Sequence, residues 1–212
     1  MKKLLPLILI AFVAFSCKGK TSEKSKPGDT TSSPATTTEV KAKGRYAIKS
    51  GIVEYKSSVM GMDAKQTLYF DDFGALESNV TEMEMMGIKT VSVTINRDGF
   101  VYTFDPGTKT GKKVVAYYGS NVNFEDLTDE IIKDFNLKKE GRDVILGKDC
   151  EKWSMDNTSL GMKGFYWVYK GVPLKVDTDL GTAKMQMDAT SFKENVEIPA
   201  EKFDIPSDIV FE

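Results

Sequence analysis

The sequence predicts a mainly β protein in which a long antiparallel sheet carries one or two helices on its apolar face. Three observations support this fold class. Apolar residues alternate with polar ones over several short runs, turn sequences separate those runs, and one stretch shows helical spacing instead. The pattern extends from about residue 43 to residue 212, a length that suits a single β-rich domain.

The alternation of side chains locates the strands. Apolar residues occupy every second position in the runs 91–95, 100–104, 165–169 and 183–189. Successive side chains of a strand point to opposite faces, so each run has one buried face. The sequences at 71–74, 97–99, 105–107 and 170–171 are typical of tight turns. Connections this short join antiparallel neighbours, and roughly ten strands follow one another in series.

Residues 123–135 interrupt the strands with a helical pattern. Their apolar stripe consists of Phe124, Leu127, Ile131, Ile132 and Phe135. Asn123 suits the N-cap, and Glu125 and Asp126 suit the positive end of a helix. We expect this helix to lay its stripe on the apolar face of the sheet.

Residues 1–16 have the features of a secretion signal. Lys2 and Lys3 precede an apolar stretch over 4–15, which is well short of the roughly 20 residues that a membrane-spanning helix needs. Residues 14–17 resemble the lipobox of bacterial lipoproteins, although Leu is commoner where Ala14 stands. This resemblance implies cleavage before Cys17, whose sulfur and amino group then carry acyl chains such as palmitate. The alternative is an ordinary secretion signal followed by an incidental cysteine.

Residues 17–42 are expected to be the lipidated cysteine and a flexible tether. After Cys17 this stretch has no aromatic residue and is rich in Thr, Ser, Lys and Pro, so it cannot bury a core. Its root-mean-square reach is roughly 25–30 Å. Without Lys2 and Lys3, the 29 basic side chains become 27 against 31 acidic ones. This balance argues against nucleic acid as a partner.

Composition excludes several kinds of chemistry. The chain has no histidine, which removes Ser-His and Cys-His catalysis and the commonest ligand of zinc, copper and iron. With Cys17 assigned to lipid, Cys150 has no partner for a disulfide within the chain. We expect Cys150 to be a small buried apolar side chain rather than a reactive thiol.

Two stretches resemble ligand loops but lack the required residues. Residues 107–113 place three residues between two glycines where a phosphate-binding loop has four, and Lys113 stands where Ser or Thr binds magnesium. Residues 177–181 begin like a calcium loop, but Thr182 occupies the position of the required glycine. We interpret both as hairpin turns. The sequence therefore predicts no catalytic, cofactor-binding or metal site, and we expect the protein not to be an enzyme.

Nine of the ten methionines lie in the predicted domain. Three pairs are two residues apart, so the members of each pair share one face of a strand: Met60/Met62, Met83/Met85 and Met185/Met187. One interpretation is an ordinary core filled by methionine. The other is a cavity lined with flexible side chains that adapt to acyl chains.

The second half of the domain carries the motifs of a family. Residues 144–153 (VILGKDCEKW) place a glycine before a cysteine, and residues 165–168 (FYWV) and 172–175 (VPLK) form a Trp-Val … Pro-Leu-Lys hairpin. Residues 203–206 (FDIP) give a terminal Phe-x-Ile-Pro. With the meander, the helix and the anchor, these motifs make the chain resemble the LolA/LolB-like superfamily over most of residues 43–212.

This resemblance implies a strongly curved half-barrel sheet with one or two helices on its concave face, enclosing an apolar hollow. The superfamily contains lipoprotein carriers and receptors, and in the carriers the hollow takes the acyl chains of a cargo lipoprotein. The predicted anchor at Cys17 is closer to the receptor arrangement than to that of a soluble carrier.

We therefore expect a membrane-anchored, non-catalytic lipoprotein whose domain binds lipid acyl chains or a similar long apolar ligand. Strand alternation and the family's shape together give the candidate lining residues: Met83, Met85, Val91, Val93, Phe100, Tyr102, Trp167, Met185 and Met187. The alternative is an envelope scaffold or protein-interaction lipoprotein whose hollow is filled by its own side chains.

The expected partners are the membrane, through acyl chains on Cys17, and a lipid or lipoprotein acyl ligand. The expected location is the bacterial cell envelope, at the outer membrane and facing the periplasm. Residues 18–20 (KGK) support this location because they are not the acidic run that some lipoproteins use for surface export.

Overall fold

Two antiparallel meanders make up the sheet in the computed structural model, which describes residues 44–116, 122–159, 161–181 and 183–212. The first meander comprises β1 (Gly51–Val59), β2 (Met62–Asp71), β3 (Leu76–Met85), β4 (Ile88–Arg97), β5 (Phe100–Asp105) and β6 (Thr110–Val115). The second comprises β7 (Lys138–Ile145), β8 (Lys148–Asn157), β9 (Met162–Tyr169), β10 (Val172–Asp179) and β11 (Lys184–Glu194). A final short strand, β12, spans Val210–Phe211.

Strand β1 joins the two meanders into one open sheet. The order across the sheet is β12-β6-β5-β4-β3-β2-β1-β11-β10-β9-β8-β7, so β1 pairs with β11 although most of the domain lies between them in sequence. All pairs are antiparallel except β12, which lies parallel to β6. The predicted strongly curved, mainly β fold is confirmed, with twelve strands where the sequence indicated roughly ten.

The predicted turns connect the strands as tight hairpins. Between β4 and β5, Asp98 and Gly99 have φ angles of 52° and 76°, the left-handed values that a two-residue turn requires. After β5, the Asp105 carboxylate accepts hydrogen bonds from the backbone N–H groups of Gly107 and Thr108 at 2.7 and 3.2 Å. The glycine-rich stretch at 107–113 is thus a hairpin turn followed by β6, as predicted.

One α-helix, α1 (Asp129–Asp134), packs on the sheet, but it begins later than the sequence predicts. The predicted N-cap at Asn123 is wrong, because Asn123 Oδ1 accepts a hydrogen bond from Glu125 N at 3.0 Å and so forms a separate turn. The N-cap is Thr128, whose Oγ1 accepts from Ile131 N at 3.2 Å. Two 3-10 helices, Asp72–Gly74 and Ala200–Phe203, complete the regular structure of the described residues.

Strand register defines an inner and an outer face. Residues paired across neighbouring strands share a face. One continuous row of partners crosses eight strands on the inner, concave face and runs in the order Thr90, Met83, Ala64, Ser57, Met187, Val176, Tyr166 and Trp153. Phe135 and Leu137 pack with Met155 in a cluster that also includes Ile131 and Trp153, so α1 and the residues after it lie on this inner face.

The C-terminal segment covers part of the outer face. The 3-10 helix Ala200–Phe203 lies against β3, and Lys202 Nζ is 5.2 Å from the ring centroid of Tyr69. Further along, the Phe211 ring packs edge-on against Tyr102 and Phe104, with centroids 5.5 and 6.2 Å apart. Both faces of the first meander therefore contain packed apolar side chains.

Within the part of the chain that the structure describes, no helix combines the length and the apolar content that crossing a bilayer requires.

Candidate functional site

A polar cavity of about 330 Å³ opens on the inner face of the first meander. Its lining includes Tyr46, Tyr55, Gln66, Leu68, Thr94, Asn96, Val101, Pro173 and Met187, together with Arg45, Glu77 and Asn79. Arg45 precedes β1, and Glu77 and Asn79 stand two residues apart on β3. The residues therefore converge from the N-terminal segment and from the strands on both sides of β1.

An ion pair forms the charged centre of this cavity. Arg45 Nη1 donates to Glu77 Oε2 at 2.5 Å, and Asn96 Nδ2 lies 3.5 Å from the same oxygen. Glu77 is only 6% exposed. Burial opposes the charge on Arg45, but Tyr46 and Glu77 outweigh it and raise the pKa of Arg45 above its usual value. The guanidinium thus stays charged and neutralises the Glu77 carboxylate.

Two tyrosine hydroxyls lie beside the ion pair. Burial, followed by the charge of Glu77, raises the pKa of both Tyr46 and Tyr55. Each hydroxyl therefore keeps its proton at neutral pH. Tyr55 donates its proton to the backbone oxygen of Pro173 at 2.9 Å, which ties β1 to the start of β10.

One acceptor atom in the cavity is left without a donor. No donor among the described residues forms a hydrogen bond with Asn79 Oδ1, which is shielded from solvent. The Glu77 carboxylate faces Arg45 and the Tyr46 hydroxyl, whose hydrogen bond to Glu77 contributes to the raised pKa of Tyr46. A buried acceptor without a donor costs roughly 1–3 kcal/mol, so Asn79 marks one position where a ligand that donates a hydrogen bond would be stabilised.

A second cavity, of about 570 Å³, lies at the other end of the same strands. It is lined by Met62, Asp63, Met83, Glu84, Met85, Ile88 and Thr90, and we call it the methionine cavity. Met62, Met85 and Ile88 are 44, 60 and 67% exposed, so its rim presents apolar side chains to water. The hairpin tip beside it carries Met86, which is 96% exposed.

The sequence matches no family model and no curated protein. Solved structures do resemble this fold. An uncharacterized conserved protein from Thermus thermophilus aligns with a TM-score of 0.53 at 11% identity, over 78% of this chain and 91% of that one. The fold is LolA-like.

Two further solved structures align with lower TM-scores. MucB in complex with MucA(peri) aligns with a TM-score of 0.47 at 11% identity, over 79% of this chain and 57% of that chain. A putative outer membrane lipoprotein-sorting protein domain from Vibrio parahaemolyticus aligns with a TM-score of 0.39 at 12% identity, over 76% of this chain and 92% of that chain. The predicted resemblance to the LolA/LolB-like superfamily is confirmed as a likeness of fold alone.

The nine predicted lining residues do not share one face of the LolA-like sheet. Met83, Met85, Met185 and Met187 lie on the inner face, where Met83 and Met85 line the methionine cavity and Met187 lines the polar one. Their role in ligand binding stays a prediction. Of the nine predicted residues, these four lie on the inner face.

Four of the other predicted residues lie on the outer face. Val91 and Val93 alternate with the inner-face residues of β4, and Phe100 and Tyr102 alternate with Val101, which lines the polar cavity. Lys113 Nζ lies 4.1 Å from the ring centroid of Phe100 and 5.2 Å from that of Tyr102. These four side chains belong to the packing of the outer face, so they cannot line the inner hollow.

Trp167 also points away from the inner row, because it follows Tyr166 in β9. Its ring is flanked by two lysines, with Lys152 Nζ at 5.0 Å and Lys175 Nζ at 5.2 Å from its centroid. At 8% exposure, Trp167 belongs to the main core cluster, together with Cys150 and Leu174.

The polar cavity is the part of the site that sequence reasoning missed. The sequence pairs Met83 with Met85 on one face of a strand, and the same period of two leads back along β3 to Thr81, Asn79 and Glu77. Following that period would have placed a carboxylate and an amide on the face that carries the methionines. No sequence signal indicated that Arg45, outside every predicted strand, pairs with Glu77.

The remaining sequence predictions concern the N-terminal segments and metal binding. Cys17 and the predicted signal and tether, residues 1–16 and 17–42, lie outside the described residues. Between Gly44 and Glu212, the described residues contain no group of three or more His, Cys, Asp or Glu side chains placed to hold a metal ion.

Cys150 is fully buried and is expected to be unreactive in the folded protein. Burial raises the pKa of its thiol, and Sγ lies 3.5 Å from the backbone oxygen of Lys148. Because the thiolate is the reactive form, a Cys17→Ser variant should resist Ellman's reagent at pH 8 and react fully in guanidinium chloride. Rapid labelling of the native variant would contradict this expectation.

Proposed function

We propose that the inner face of the sheet binds one long apolar ligand, such as a lipid acyl chain, without changing it chemically. The methionine cavity carries this proposal. Its volume of about 570 Å³ lies within the range of roughly 300–1,000 Å³ that is typical of small-molecule sites. Methionine side chains have several rotatable bonds, so they adapt to chains of different length and shape.

Exposure of the rim supports the same conclusion. Met85 and Ile88 are 60 and 67% exposed, and they stand opposite each other at the end of the β3–β4 hairpin. Covering apolar surface contributes about 25 cal/mol of binding free energy per Å² of surface removed from water. A ligand that lies over Met83, Met85 and Ile88 is therefore bound by burial alone, and clustered apolar exposure of this kind is typical of binding sites.

The proposed protein is a lipoprotein of the bacterial cell envelope, attached through acyl chains on Cys17 at the outer membrane and facing the periplasm. The export signal at 1–16 and the tether-like composition of 17–42 support this placement. Two acyl chains already give stable anchoring. The tether would keep the domain within reach of the membrane whose lipids are the candidate ligands.

Lipid uptake tests the binding proposal. The purified full chain, cleared of lipid, should bind a dansyl-labelled fatty acid with an increase in fluorescence. A Met83→Asp variant should bind at least tenfold more weakly, because its carboxylate would be desolvated by the ligand in the cavity. Mass spectrometry of lipid extracted from the untreated protein should show a bound acyl compound.

Met86→Asp provides the matched control for Met83→Asp. Met86 is next to Met85, but it lies at the hairpin tip and does not line the methionine cavity. The same change of side chain there should leave uptake within about twofold of the wild type, a difference of about 0.4 kcal/mol. Absence of both fluorescence uptake and extracted lipid would refute the proposal.

A second candidate function is an envelope scaffold or protein-interaction lipoprotein with no small ligand. The observation in its favour is the apolar character of two neighbouring hairpin tips, where Met60 and Met86 are 66 and 96% exposed outside the methionine cavity. A protein that covers these tips would bury the same kind of surface. A chain that binds no lipid but still binds a partner protein would favour this candidate.

A further inference from the structure

Three residues of the methionine cavity place thioether groups side by side on the inner face. Met83 and Met85 lie two residues apart on β3, and Met62 begins β2. On these neighbouring strands Ala64 pairs with Met83. The same register continued by two residues places Met62 opposite Met85. Directly opposite residues have Cβ atoms about 4.5–5.5 Å apart and diagonal ones about 7–8 Å, distances that long side chains span. The three thioethers can therefore converge on one point of the cavity.

Solvent has access to this group of methionines. Met62 and Met85 are exposed and Met83 is half-buried, whereas Met155, which belongs to a packed cluster on the same face, is buried. The rim of the cavity is thus open, and an ion from solution can reach the three sulfur atoms without a change in the backbone.

The sulfur atoms give this lining a property that other apolar side chains lack. Leucine has nearly the volume of methionine, so an apolar surface alone does not require sulfur. A thioether is a soft and polarizable group. Soft sulfur ligands select Cu(I), whereas Zn²⁺ prefers cysteine, histidine and carboxylate ligands. Such a site needs no histidine, which the chain lacks.

The charged residues of the lining favour a cation over an anion. They are Asp63 and Glu84, and no lysine or arginine lines the cavity. Both residues alternate with the methionines of their strands, so they act on an ion through their charge and not as ligands. Lys89 is the partner of Glu84 on β4 and offsets one of the two charges. The single negative charge that is left matches a monovalent ion.

From this arrangement we infer that Met62, Met83 and Met85 bind one soft monovalent metal ion, such as Cu(I), through their thioether sulfurs. The three ligands are uncharged, so the charge of the ion is balanced from outside the ligand set. The inference goes beyond the proposed function, because it gives the methionine cavity a second kind of ligand. The ion and an acyl chain use the same side chains and therefore compete.

Calorimetric titration with Ag(I) tests the site, because Ag(I) has the charge and softness of Cu(I) and is stable in air. The protein is the full-length Cys17→Ser variant in chloride-free buffer, in which the remaining thiol, Cys150, is buried. We expect a single Ag(I) ion to bind per chain, and Zn²⁺ to bind at least about a hundredfold more weakly. Zn²⁺ binding as tightly as Ag(I), or no binding of Ag(I), would overturn the inference.

Met85→Leu removes one sulfur at nearly constant volume and apolar surface. It should weaken Ag(I) binding by about tenfold or more, while uptake of the dansyl-labelled fatty acid stays within about twofold of the wild type. Met162→Leu is the matched control, because Met162 packs against the separate cluster of Phe135 and Met155, and it should bind Ag(I) as the wild type does. Unchanged Ag(I) affinity in Met85→Leu would contradict the assignment. A wild type that binds Ag(I) but no fatty acid would support the metal site and count against the proposed function alone.

Spectra of the methionine methyl groups test the three ligands together in a chain whose methionines are all present. With methyl-¹³C methionine incorporated, Ag(I) should shift the signals of Met62, Met83 and Met85 in step. If exposure alone governed the reaction, Met86, the most exposed of the described methionines, would respond more strongly than half-buried Met83. A shift of Met86 without one of Met83 would refute the site.

Discussion

Replacing Phe70 by alanine is expected to lower the free energy of unfolding by about 3–5 kcal/mol. Phe70 is the penultimate residue of β2 and has no exposed surface. Its ring packs edge-on against Tyr46 at a centroid distance of 4.6 Å and lies 6.5 Å from the Phe192 ring of β11. It thereby joins the N-terminal segment, the first meander and the second. Guanidinium chloride unfolding of both proteins at 25 °C measures the change.

Phe165→Ala is the control for Phe70→Ala. Phe165 lies in β9 with 39% of its surface exposed, so loss of the same ring should cost about 1 kcal/mol or less. Similar losses for the two variants would show that burial at β2 is not what stabilises the domain. The four inner-face methionines are not changed, so a folded Phe70 variant should still take up the dansyl-labelled fatty acid.

Arg45→Ala is expected to destabilise the protein by about 2–4 kcal/mol, because it strands the carboxylate of Glu77 in a buried position. Glu77 is 6% exposed, and the Arg45 side chain still has 23% of its surface accessible, so the loss lies below that of a fully buried pair. The measurement is again unfolding in guanidinium chloride at neutral pH.

The double variant Arg45→Met/Glu77→Leu separates the energy of the pair from the cost of breaking it. Replacing both charges by apolar side chains leaves no unpaired group, so we expect stability to return to within about 2 kcal/mol of the wild type. A double variant as unstable as Arg45→Ala would mean that packing around the guanidinium stem, and not its charge, is what Arg45 contributes. In that event the residues of the polar cavity would stabilise the fold and would not form a ligand-binding site.

Local sequence patterns were sufficient to predict the strands and turns. The alternating runs at 91–95, 100–104, 165–169 and 183–189 all lie in strands, apart from Ala183, which immediately precedes β11. The turn at 97–99 contains the residues with positive φ that a two-residue hairpin requires. These features depend on neighbours a few residues apart, and so a single sequence records them directly.

The assignment of residues to faces could not be predicted in the same way. A period of two separates Val91 and Val93 from Ser92 and Thr94, but it does not say which set faces the hollow. Which set faces the hollow depends on two contacts between distant parts of the chain. One is the pairing of β1 with β11, and the other is the packing of the C-terminal segment against the outer face of β3. Because β4 and β5 bury their aromatic and β-branched side chains outward, their inner faces are free to be polar.

The pairing of β1 with β11 also bears on the order in which the chain can fold. Strands β1 to β6 and β7 to β11 each pair through short hairpins, so either group can assemble as soon as its own residues are available. The central contact waits for residues 184–194, near the end of the chain. Until then β1 is an open edge, and an unpaired edge strand is prone to join other chains. We therefore expect aggregation during synthesis or export to start at β1, and a chain truncated before residue 184 to be the aggregation-prone form.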